Sequence, residues 1–94
     1  MSLAVATLMI GLLKAVPFTL RNNSLKSIYL EIPGVMNPNL SPMSNSGVDL
    51  REGQKIYFFD GRRKYLLLEV TADLEGEKLD VSELIRTRKK ELGI

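Results

Sequence analysis

The sequence predicts an all-β protein, a small antiparallel β-sandwich of immunoglobulin-like or jelly-roll-like type, with one α-helix at its C-terminus. Segments of alternating apolar and polar residues are separated by turn residues, and no strand-helix-strand alternation indicates a parallel sheet. The apolar spacing becomes helical only near the C-terminus. Because the chain has 94 residues, it has room for one hydrophobic core.

Two alternating segments come first, at residues 16–24 and 26–33. Each has apolar side chains at every second position, which is typical of a strand with one face in water. They flank a short Asn-Ser-Leu connection, so we expect them to pair as a β-hairpin. Pro33 lacks a backbone N–H and should end the second strand.

Three further strands follow a long irregular segment. A short strand is predicted at residues 48–50 and a longer one at 55–59. Asp60 and Gly61 tolerate positive φ and should turn the chain into a last strand at 64–72. The last two strands therefore make a second predicted hairpin, and the domain has five strands in all.

The helix is predicted at about residues 81–92. Asp80 is a good N-cap, Glu83 stands three residues later as in a capping box, and Gly93 is a helix stop. Because a chain this short can cover only one core, we expect the helix to lie across an open end or edge of the sheets.

The N-terminal segment, residues 1–15, is predicted to be either the remnant of a leader or an edge strand, with residues 16–94 forming the single domain. The apolar run at residues 3–13 is too short to span a bilayer as a helix, but it matches the apolar region of a signal peptide in length. If it belongs to the fold, we expect it to pack on its own sheet or against the same segment of a second copy.

Two stretches of the chain carry a family resemblance. "NNSLKSIYLEIPGVMNPNLSPMSNSGVDLREGQKIYFF" at residues 22–59 and "GEKLDVSELIRTRKKELGI" at 76–94 resemble small exported proteins of unknown function from Bacteroidetes-type bacteria. The resemblance implies an N-terminal leader, a periplasmic or secreted location and a β-sandwich. It implies no catalytic or ligand residue.

The composition excludes most familiar catalytic sites. The chain has no histidine and no cysteine, so it lacks the commonest general base, a thiolate nucleophile and sulfur ligands for metals. We therefore predict no catalytic residue, no metal and no cofactor. Four acidic side chains near the helix start do not match a calcium loop in spacing, and we interpret them as a solvated turn: Asp73, Glu75, Glu77 and Asp80.

Two alternative functions are compatible with the sequence. Glu31 and Glu69 would make a small hydrolase only if they met in one cleft. The basic residues Arg62, Arg63 and Lys64 adjoin several aromatic residues, as in proteins that bind single-stranded nucleic acid. Because the net charge is only +2, we do not expect nucleic acid to be the partner.

The irregular segment at residues 33–47 has two interpretations. As a connector, it would plug one end of the sandwich with its apolar side chains; as a recognition loop, it would present them to a partner. We favour the connector, and exposure of Met36 or Met43 would favour recognition. The candidate binding residues are Val35, Met36, Asn37, Asn39, Leu40 and Met43.

The leading hypothesis is a non-enzymatic, exported binding module. It is predicted to contact a protein or envelope component through the loop Pro33 to Gly47, and its predicted partner is another envelope protein or a second copy of itself. No transmembrane helix is expected in the mature domain.

Overall fold

The computed structural model describes residues 14–94, so the predictions for residues 1–13 lie outside the described part of the chain. The described residues are mostly β-structure, in two largely antiparallel sheets with one C-terminal helix. The elements are β1 (Ala15–Asn22), β2 (Ile28–Glu31), β3 (Asn39–Leu40), β4 (Ser44–Arg51), β5 (Lys55–Asp60), β6 (Arg63–Glu69), β7 (Lys78–Asp80) and α1 (Val81–Leu92).

The first sheet has the strand order β4-β1-β7. β1 and β4 pair antiparallel over their whole length, from Ala15 opposite Arg51 to Asn22 opposite Ser44. β7 joins the other side of β1 in parallel, because a 3₁₀ turn at Ala72–Leu74 brings the chain back along it.

The second sheet has the strand order β3-β2-β5-β6. The predicted hairpin of β5 and β6 is confirmed, and Gly61 turns it with a φ of 65°. The register shifts between Ile56 and Tyr57, so β6 carries one extra residue there as a β-bulge.

The predicted hairpin between the first two strands is wrong. β1 pairs with β4 and β7, whereas β2 pairs with β3 and β5 in the other sheet. The physical reason lies at Asn22, the last residue of β1, whose side chain is fully buried. Its Nδ2 donates to the carbonyls of Lys26 and Leu40, which draws the chain out of the first sheet towards β3.

The long irregular segment is also more regular than predicted. It forms the return arm of a hairpin with β2 and then the first half of β4. The Leu30 N–H donates to the Pro38 carbonyl at 2.9 Å, and the Ile32 N–H donates to the Met36 carbonyl at 2.8 Å. Pro38 therefore acts only as an acceptor, so its missing N–H costs the hairpin nothing.

The buried side chains of both sheets form one hydrophobic cluster. The predicted alternation is confirmed in β1, where every second side chain is buried. The cluster comprises Val16, Phe18, Leu20, Leu30, Ile32, Leu40, Val48, Leu50, Ile56, Phe58, Leu67, Val70 and Val81.

The predicted helix is confirmed at Val81–Leu92. Asp80 caps it by accepting a hydrogen bond from the Glu83 N–H at 3.2 Å, and Gly93 ends it in the left-handed region at φ 74°. The helix contacts β1, β6 and β7, and Arg88 Nε donates to the Leu66 carbonyl at 2.9 Å. It therefore covers part of the outer edge of β6.

Candidate functional site on the outer face of the second sheet

An exposed aromatic pair lies on the outer face of the second sheet. Leu30 is opposite Phe58 in the register of β2 and β5, so one step further along the ladder Tyr29 comes opposite Phe59. Leu30 and Phe58 point into the core, and the alternation of a strand turns Tyr29 and Phe59 outward. The two aromatic side chains are 61% and 43% exposed, respectively.

The same pair lines a groove between the second sheet and the helix. The groove has a volume of about 440 Å³ and lies where β2 begins and β5 ends. A salt bridge of 3.3 Å from Lys89 Nζ to Asp60 Oδ1 ties the helix to this end of β5. We call this groove the aromatic groove. Its main lining residues are Lys26, Ile28, Tyr29, Phe59, Ile85 and Lys89.

A cation lies next to a third aromatic residue on this outer face. Lys64 Nζ is 5.0 Å from the centre of the Tyr57 ring and forms an ion pair with Glu31. The hydrogen bond that Lys64 donates to Glu31 is the main reason that the pKa of Lys64 is raised above its ordinary value. Because its charge is already matched, Lys64 contributes less to a basic surface than the sequence predicts.

The basic patch predicted from the sequence is divided by the structure. Arg62 and Arg63 are exposed where β5 turns into β6, and Arg63 lies opposite Asp60, whereas Lys64 lies opposite Phe59. Phe58 and Tyr65 instead face inward, where their ring centres are 5.8 Å apart. Only part of the predicted basic and aromatic surface is therefore available to a ligand.

The six candidate residues of the loop do not form one surface. Leu40 is only 1% exposed and belongs to the core, because it lies opposite Ile28 in the β2–β3 ladder; its place among the binding candidates is corrected here. Val35, Met36 and Met43 are exposed by 44%, 40% and 53%. Asn37 and Asn39 are exposed as well.

The exposed loop residues lie at opposite ends of the β2–β3 hairpin. Met36 bridges Ile32 at the tip of the hairpin, whereas the Met43 N–H donates to the Ser24 carbonyl at the other end. Asn39 lies between them, opposite Tyr29. The loop therefore joins the aromatic surface through Asn39.

The carboxylates considered for hydrolysis do not face one another. Glu31 is paired with Lys64, and Glu69 lies opposite Lys55 in the β5–β6 ladder. Each carboxylate therefore lies near a lysine and not near the other carboxylate.

The acidic residues near the helix start serve the fold. Asp80 accepts hydrogen bonds from Ser82 Oγ at 2.6 Å and from Asn23 Nδ2 at 3.0 Å. Both hydrogen bonds lower the pKa of Asp80, and the bond from Ser82 has the larger effect. Within residues 14–94, no group of three or more acidic side chains is arranged to hold a metal ion.

Sequence reasoning missed Tyr29 as a site residue. The apolar alternation of residues 26–33 turns Tyr29 towards solvent, and a large aromatic side chain on a solvent-facing strand surface is itself a signal of recognition. Its neighbour Phe59 was out of reach because β2 was assigned the wrong partner strand.

No protein-family model, curated protein or solved structure matches this chain. In the part of the chain that the structure describes, no helix is long and apolar enough to cross a membrane. Functional inference therefore depends on the geometry of the domain.

Proposed function

We propose that this domain is a non-enzymatic, exported binding module that contacts a protein or another envelope component through the aromatic groove. The observation that carries the proposal is the exposed pair of Tyr29 and Phe59 beside a concave surface. Aromatic side chains that fill or line pockets supply much of the affinity of protein interfaces. Asn39, which lies opposite Tyr29, brings the loop into the same contact.

We also propose that the two sheets pack face to face as a small β-sandwich. The support is that inward side chains from both sheets form one buried cluster. Such a scaffold holds the strands rigid, so Tyr29 and Phe59 keep their positions before a partner arrives. Less conformational entropy is then lost on binding.

Export is supported by the apolar residues 3–13 and by the family resemblance of the sequence. Fractionation of cells that express the natural gene tests this part separately. Recovery of the chain in the periplasm or medium supports export, and recovery only with cytoplasmic markers contradicts it.

Photo-crosslinking in the native host tests the proposed contact surface. A photoreactive phenylalanine analogue at Phe59 should give one dominant adduct with a protein or envelope component. The same analogue at Glu75, an exposed position after the 3₁₀ turn, is the matched control. Equal adduct patterns at the two positions, or no adduct at Phe59, would contradict the proposal.

Single-stranded nucleic acid is the second candidate, because the exposed Arg62 and Arg63 directly precede Lys64, which lies opposite Phe59. Fluorescence anisotropy with a labelled oligonucleotide tests it over a range of salt concentrations. If nucleic acid is the ligand, binding weakens steeply with salt and is lost when Arg62, Arg63 and Lys64 are changed to glutamine. A variant with the same loss of charge at Arg51, Lys78 and Lys90 should then bind normally. The leading proposal predicts no measurable binding.

A further inference from the structure

β4 presents a long unpaired edge, in contrast to the other sheet edges among the described residues. β3 has two residues and β7 has three, so neither offers a long ladder. β6 is partly covered by the helix through Arg88. β4 has eight residues and pairs on one side only, with β1. Open edges of this length invite another strand.

The direction of the free backbone groups follows from the hydrogen bonds of β1. Thr19 donates to the Glu77 carbonyl at 2.9 Å, and the Pro17 carbonyl accepts from the Gly76 N–H at 2.8 Å. The backbone N–H and C=O groups of odd-numbered residues in β1 therefore point towards β7, and those of even-numbered residues point towards β4.

The same alternation continues into β4. Its even-numbered residues lie opposite the even-numbered residues of β1, and the two strands exchange backbone bonds there. Asn45, Gly47 and Asp49 consequently turn their N–H and C=O groups away from the sheet. Arg51 also points outward, but its N–H donates to Gln54 Oε1 at 2.8 Å and its carbonyl accepts from the Gln54 N–H at 3.1 Å. The free edge thus has Gly47 at its centre.

The described part of the fold gives no reason for a glycine at position 47. Its backbone is not in the left-handed region, and a Cβ added there meets nothing within 4 Å. Its register with Thr19 shows no bulge. A glycine inside a strand weakens the strand and often marks the close approach of another backbone.

We propose that β4 pairs antiparallel with β4 of a second copy, with the two-fold axis at Gly47. In this register Gly47 faces Gly47, and Asn45 faces Asp49 of the second copy. The side-chain amide of Asn45 can then donate to that carboxylate, and the same contact recurs across the axis. All free backbone groups of the three residues find partners.

Neighbouring registers are less favourable. An axis at Val48 places Asn45 opposite Arg51, whose backbone groups already bond Gln54. An axis at Asp49 brings two carboxylates directly opposite each other, which is destabilising. Of these three registers, the one centred on Gly47 matches both backbone and side chains.

Cysteine cross-linking tests the register, because the chain has no cysteine of its own. Gly47→Cys should form a disulfide-linked dimer under mild oxidation, since opposed residues bring their Cα atoms within disulfide range. Asn45→Cys and Asp49→Cys should each form little disulfide-linked dimer alone. When the two variants are mixed, they should cross-link to one another. Equal cross-linking of all three single variants would overturn the register.

Charge variants test the same contact without a covalent bond. Light scattering over a concentration series should give a dimer for the parent chain. Asn45→Asp places like charges opposite each other twice and should weaken association by roughly tenfold. The double change Asn45→Asp with Asp49→Asn restores complementarity and should recover the parent affinity to within about threefold. A dimer that is indifferent to these changes would overturn the proposal.

The first residues of the same chain are the alternative occupant of this edge. Light scattering is therefore performed on the full chain and on a version that starts at Lys14. A dimer in both supports the proposal. A monomer at every concentration in both would overturn it, and so would a full-length monomer that dimerises only when it starts at Lys14.

Discussion

Replacing Asn22 by leucine should destabilise the domain severely. The side chain is fully buried at the point where the chain leaves the first sheet. Its Nδ2 lies 2.7 Å from the Lys26 carbonyl, 3.1 Å from that of Leu40 and 3.2 Å from that of Ser41. Its Oδ1 accepts from the N–H and the hydroxyl of Ser24. One side chain therefore connects β1, the following turn and the end of β3.

The expected loss follows from these contacts. A hydrogen bond contributes about 0.5 to 1.5 kcal/mol net, and a buried polar group left without a partner costs about 1 to 3 kcal/mol. Leucine has similar size but no polar atoms, so several groups lose their partner at once. We expect the free energy of unfolding to fall by about 3 to 5 kcal/mol, a large share of the stability of a small domain.

Urea denaturation followed by circular dichroism measures this loss. The midpoint should fall by about 2 to 5 M if the urea dependence is near 1 to 1.5 kcal/mol/M. Asn39→Leu, the same substitution at an exposed strand residue, should change the free energy of unfolding by less than about 0.5 kcal/mol. A loss below about 1 kcal/mol for Asn22→Leu would refute the role given to this side chain.

Three further predictions concern the loop, the cap and the helix. Leu40→Ala should lower the free energy of unfolding by about 2 to 5 kcal/mol in urea denaturation, because Leu40 is buried. Met43→Gly should leave it unchanged or raise it by up to about 1 kcal/mol, because Met43 has a φ of 53°, which glycine adopts without strain. Equal losses would contradict the assignment of Leu40 to the core and Met43 to the surface. The pKa of Asp80 in the folded domain lies below the ordinary 3.8, so the stability that its carboxylate contributes is present above pH 3.8 and is lost as the pH falls through the folded pKa. Asp80→Asn, which still caps the helix, should therefore lose less stability between pH 5 and 2 than the parent. An identical pH profile would contradict this. Deleting residues 82–94 should cost about 2 to 4 kcal/mol, because it removes Leu84 and Ile85 from the hydrophobic cluster and leaves the Leu66 carbonyl without its Arg88 donor. A melting temperature within about 2 °C of the parent would instead make the helix a loose tail.

Local structure was accessible from the sequence because its signals are local. The alternation of β1 predicts which side chains enter the core, and Asp80 and Gly93 predict where the helix begins and ends. The turn at Gly61 likewise needs a residue that tolerates positive φ.

Strand pairing could not be predicted from the sequence because it depends on contacts between residues that are far apart in the chain. The chain leaves the first sheet at Asn22, whose side-chain hydrogen bonds reach the carbonyls of Leu40 and Ser41, far along the chain. A buried asparagine and an exposed turn asparagine look alike in sequence. Because Tyr29 and Phe59 meet only through this pairing, the candidate site was out of reach as well.

The most direct test of the account compares the aromatic groove with the loop. The affinity for the component cross-linked at Phe59 would be measured for two double variants. Tyr29→Ala with Phe59→Ala should weaken binding by about 30-fold or more, as expected for aromatic residues at the centre of an interface. Val35→Ala with Met43→Ala, which removes exposed apolar side chains outside the groove, should change it by less than about threefold. A large loss for the loop pair with normal binding by the aromatic pair would contradict the account.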